Sequence, residues 1–78
     1  MDRYPIATHY GGMHNGTRFY VIRIVSQGAR CRPVSWANSG FATHTLRVSN
    51  LELESEGDTS DEHIAGIVSD LRGNSLGS

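Results

Sequence analysis

The apolar positions of this chain change period along its length, and the changes divide it into segments. Residues 1–17 mix Pro5, Gly11, Gly12, Asn15 and Gly16 with scattered aromatics. They keep neither a period of 2 nor one of 3.6, so they predict an irregular N-terminal arm. Residues 18–26 read RFYVIRIVS, aromatic and β-branched and apolar on both faces except at Arg23, the pattern of a central strand covered on each side. Ser26-Gln27-Gly28 then supplies a tight connection to residues 29–37, which place Arg30, Arg32, Val34 and Trp36 on one face. Pro33 within that run predicts an edge strand or a bulge. Asn38-Ser39-Gly40 marks the next turn, and residues 41–48 form a third strand with Leu46 and Val48 on one side and Arg47 on the other. Leu51-Glu52-Leu53-Glu54 alternates again, as a fourth strand or as the third continued across a bulge.

Past a polar linker at residues 55–60 the period lengthens. Ile64, Ile67, Val68 and Leu71 recur at i, i+3, i+4 and i+7, one apolar stripe of an amphipathic helix expected over residues 60–72. Thr59 with Glu62 three residues later matches a capping box, Gly73 is a natural stop, and residues 73–78 form a tail. The fold class is α+β: a three- or four-stranded antiparallel sheet packed against one C-terminal helix, which needs the sheet because a lone helix of this length is marginal in water. If the helix covers the face carrying Tyr20, Ile22, Ile24, Leu46 and Val48, the open face carries Phe19, Val21, Arg23, Val25, Phe41 and Arg47. Arg30, Arg32 and Trp36 join that open face if the register allows.

Length and composition add limits. At 78 residues with 37% hydrophobic positions the chain is one small domain with a thin core and little room for a deep catalytic pocket. Its one cysteine, Cys31, excludes an internal disulfide, and the N-terminal residues lack an apolar signal region. The expectation is a cytoplasmic protein with no membrane association.

Charge changes the picture more than its sum of −1 suggests. All seven basic residues are Arg; residues 1–48 carry a net +5, and residues 49–78 a net −6. Such an asymmetry serves a basic surface for an acidic partner, an acidic surface for a basic partner, or a fold in which the halves neutralise each other. The candidate partner-binding residues are Arg23, Arg30, Arg32, Trp36, Phe41 and Arg47: aromatics with guanidinium groups suit both protein hot spots and nucleic-acid surfaces. The second-choice interface is acidic, through Glu52, Glu54, Glu56 and Asp58.

Catalytic and cofactor signatures do not occur. There is no G-x-S-x-G, P-loop or G-x-G-x-x-G pattern, and His9, His14, His44 and Cys31 lack a recognised metal-ligand spacing. His63 is expected to face solvent in the first helical turn. The sequence thus predicts no enzyme, no cofactor and no metal. It predicts a small binding protein, a regulator or inhibitor covering a macromolecular surface, of the kind phages and mobile elements use against host defences. A protein is the first-choice partner. A nucleic-acid-binding module on the same face is the alternative, and a homodimer closing the sheet is the third.

Overall fold

The computed structural model describes residues 3–34 and 43–75. Five strands, β1 (Ile6–His9), β2 (Arg18–Val25), β3 (Gly28–Pro33), β4 (His44–Leu46) and β5 (Leu51–Ser55), form one antiparallel sheet in the order β4-β3-β2-β1-β5. One α-helix among the described residues, α1 (Glu62–Ser75), follows. The class is α+β, with five strands where three or four were predicted. The difference is β1: the expected irregular arm contributes a strand between β2 and β5, made by pairing and not by pattern, since its inward positions are held only by Ala7 and His9.

β2 is the middle strand, as its two-sided apolar pattern predicts. β3 is not an edge strand, and Pro33 is tolerated because it ends the strand beyond the residues that β4 pairs, 29–31. Gly28 opens β3 with φ +145, and a Cβ there would lie 2.3 Å from the Leu46 carbonyl oxygen. Glycine is what lets β4 approach the β2–β3 hairpin.

The register settles the faces. Ala7, Phe19, Val21, Ala29, Cys31, Leu51, Ile67 and Leu71 form the core cluster, with Ile24, Leu46, Val48 and Leu53 packed against it. The face toward α1 was expected to carry Tyr20, Ile22 and Ile24; before Ile24 it carries Phe19 and Val21 instead. Both are fully buried. A bulge produces the reversal: Val21 opposes Cys31 and Arg23 opposes Arg30, leaving Ile22 as an extra residue in β2. Before the bulge odd positions point inward; after it Ile24 does, and Arg23 turns outward beside Arg30.

The stripe of α1 is read correctly, with Ile64, Ile67, Val68 and Leu71 all buried, each stabilising the fold by about 1.5–3 kcal/mol. Its boundaries move to 62–75. The cap is Asp61, whose carboxylate accepts from the His63 backbone N–H at 2.9 Å while its carbonyl accepts from Ala65 N–H. Asp58 instead accepts from Ser60 in the turn before. Gly73 lies within the helix. No helix among the described residues is long and apolar enough to cross a membrane.

Candidate functional site

The outer face of the sheet is built from the alternate residues of the same strands. Across it run Arg18 opposite Thr8 and Thr8 opposite Glu52, then Ile6 opposite Tyr20 and Tyr20 opposite Arg32, then Arg23 opposite Arg30 and Arg30 opposite Thr45. Arginine thus concentrates over β2 and β3, and carboxylates stand on β5 at the far edge.

Those carboxylates are engaged within the chain. Glu54 accepts from Arg18 Nε at 2.7 Å and from Thr8 Oγ1 at 3.0 Å, and Tyr10 donates to Glu52 over a long 3.4 Å. Glu56 pairs with Arg72, Asp61 with Arg3, and Asp58 takes the Ser60 hydroxyl and N–H. The field of Glu52 is the main cause raising the Tyr10 phenol above its ordinary value, and the Ser60 hydroxyl is the main cause lowering Asp58. All four residues of the second-choice acidic interface, Glu52, Glu54, Glu56 and Asp58, therefore have intramolecular partners.

The arginines divide accordingly. Arg3, Arg18 and Arg72 have carboxylate partners; Arg23, Arg30, Arg32 and Arg47 have none among the described residues. Arg23, Arg30 and Arg32 converge with Tyr4, Ile22 and Thr43 around one open pocket of about 350 Å³. Three of the six predicted partner-binding residues are thereby brought together. Arg47 is exposed in the segment after β4, outside the pocket lining, and Trp36 and Phe41 lie outside the described residues. Phe19, expected beside them on the open face, is in the core.

Tyr4 and Thr43 were not among the expected site residues, and Ile22, expected on the helix-covered face, lines the pocket instead. Tyr4 is held by the loop beneath it: Asp58 N–H donates to the Arg3 carbonyl at 2.8 Å, and Gly57, at φ +70, brings its backbone against Arg3 and Tyr4. Ile22 is the bulge residue, and its carbonyl lies 2.9 Å from His63 Nε2. The carbonyl can only accept, so Nε2 carries the proton there. His63, although exposed, thus ties the first turn of α1 to the bulge that turns Arg23 outward.

On the inner side, His9, His14 and His44 gather around Phe19. Ring centroids lie 4.9 Å apart for His14 and His44 and 6.1 Å apart for His9 and His14, and all three rings meet Phe19 edge-on within 6.4 Å. His9 is buried and its Nδ1 has no hydrogen-bond partner. Among the described residues no group of three His, Cys, Asp or Glu side chains is arranged to hold a metal ion. No protein family, curated protein or solved structure matches this chain.

Proposed function

We propose that the protein is a small, non-enzymatic binding protein, a regulator or inhibitor, that acts by laying the outer face of its sheet on an anionic macromolecular surface. One observation carries this reading: Arg23, Arg30 and Arg32 surround one pocket while Glu54, Glu56 and Asp61 pair with Arg18, Arg72 and Arg3. A guanidinium group presents a rigid fork of donors suited to carboxylate or phosphate oxygens. Three such forks with no carboxylate partner among the described residues form a surface whose charge a partner completes. A cytoplasmic setting fits the lone, buried thiol of Cys31.

Retention on immobilised heparin, a polyanion without bases or peptide, tests the anionic-surface reading. The wild-type protein is expected to bind and to elute with salt. The double variant R30E/R32E is expected in the flow-through, and E52K/E54K at the same salt or higher. Wild-type protein in the flow-through, or loss of retention on reversing only the acids, overturns the reading.

A further inference from the structure

We infer that the pocket between β2 and β3 seats one nucleotide of a single-stranded nucleic acid, whose backbone crosses the sheet over Arg30, Arg32 and Arg23. The inference rests on the anionic-partner reading above and adds the chemical class of that partner. Arg30 and Arg32 are alternate residues of β3, so their Cα atoms stand roughly 6.7 Å apart along the strand. Arg23 is directly across from Arg30, roughly 5 Å away. Three forks thus face one opening, where a phosphate with several acceptor oxygens can take more than one at once.

The rest of the lining argues for a strand with free bases. Tyr4 borders the pocket and Tyr20 stands opposite Arg32 on the same face. Aromatic rings and guanidinium planes both stack on unpaired bases without regard to sequence. Ile22 adds apolar lining and Thr43 a hydroxyl donor. A volume of about 350 Å³ accommodates a group that enters. A duplex keeps its bases stacked inside and offers only rows of phosphate, and an acidic protein surface brings carboxylates but no bases for the tyrosines. The far edge of the face limits the path: Glu52 and Glu54 on β5 are three strands from β3, roughly 14 Å, and repel phosphate.

Fluorescence anisotropy with a short labelled oligothymidine, and with a duplex of matched length, provides the test. Three phosphate contacts on a single strand give a slope of about −2 in log affinity against log salt, a loss of about tenfold between about 50 and about 150 mM. The variant R30Q/R32Q, which removes charge without reversing it, is expected to bind more weakly with the slope cut to about −0.7. Tyr4→Ala is expected to weaken binding about fivefold or more at unchanged slope, and Tyr4→Phe to restore it. Circular dichroism of each variant confirms the fold. Equal or tighter binding of the duplex, indifference to Tyr4→Ala, or no binding at about 50 mM overturns the inference. Heparin retention without oligonucleotide binding leaves the anionic-surface reading standing and assigns the face to an acidic protein. Loss of both removes the two together.

Discussion

Cys31 sits on the inner face, fully buried, opposite Val21 and His44, with its thiol directed to the Ala29 carbonyl at 3.4 Å. Burial pushes the thiol up to about 12, so at neutral pH it is neither nucleophilic nor a ready ligand. A thiol reagent at pH 8 is expected to label the native protein no faster than the protein unfolds, and rapid labelling would refute the burial. The same shift couples stability to pH. Unfolded, the thiol ionises near 9; folded, it keeps its proton to about 12. Its stabilising contribution is full below pH 9 and falls across that interval, by an amount on the order of a few kcal/mol. Denaturant titrations from pH 8 to 11 should show a decline that Cys31→Ala flattens. Asp61 offers a second test at this scale. As the true cap of α1 and the partner of Arg3, it should cost about 1 kcal/mol on change to Ala, a Tm loss of about 4–8 °C in a domain this size. Thr59→Ala should leave Tm unchanged. The capping-box pattern pointed to Thr59 because spacing alone cannot distinguish which of several polar residues before a helix turns its oxygen onto the free N–H groups.

At the scale of elements, the sequence exposes what local pattern dictates and hides what pairing decides. The stripe of α1, the central place of β2 and the β2–β3 connection follow from periodicity and turn chemistry. β1 does not, because Ala7 and His9 carry too little apolar signal and the strand exists through its partners on both sides. The bulge at Ile22 is hidden in the same way. Counting by twos from Phe19 would bury Arg23, and that lone charge in an apolar strand was the visible sign that alternation had to break. Phe19→Ala is therefore expected to cost about 3–5 kcal/mol, enough to unfold much of a small domain, and thermal melts would show it. Retention of wild-type Tm would return Phe19 to an open face. Gly57→Ala tests the loop under Tyr4. At φ +70 with the Arg3 carbonyl oxygen 2.4 Å from the added Cβ, the change should lower stability by at least about 1 kcal/mol.

For the whole molecule, the two oppositely charged halves of the chain neutralise each other only in part. Folding sets Arg3, Arg18 and Arg72 against acids of the C-terminal half and leaves Arg23, Arg30 and Arg32 around one opening. The alternation of Arg30 and Arg32 was readable along one strand. Tyr4 and Thr43 were not, because chain topology brings them in from distant segments. The resulting arrangement works against the fold itself: Arg23 and Arg30 are directly opposed on neighbouring strands, where like charges destabilise a sheet. Arg30→Glu converts that repulsion into a cross-strand pair and should raise stability by about 0.5–1 kcal/mol, a gain of a few °C in Tm, while lowering the salt at which the protein leaves heparin. Salt should act in parallel on the wild-type protein, screening the repulsion as it weakens anion binding. Opposite responses of stability and binding to one substitution are expected of a charge cluster that serves a partner. A fall in Tm for this variant would instead give Arg30 a structural role and withdraw it from the binding face.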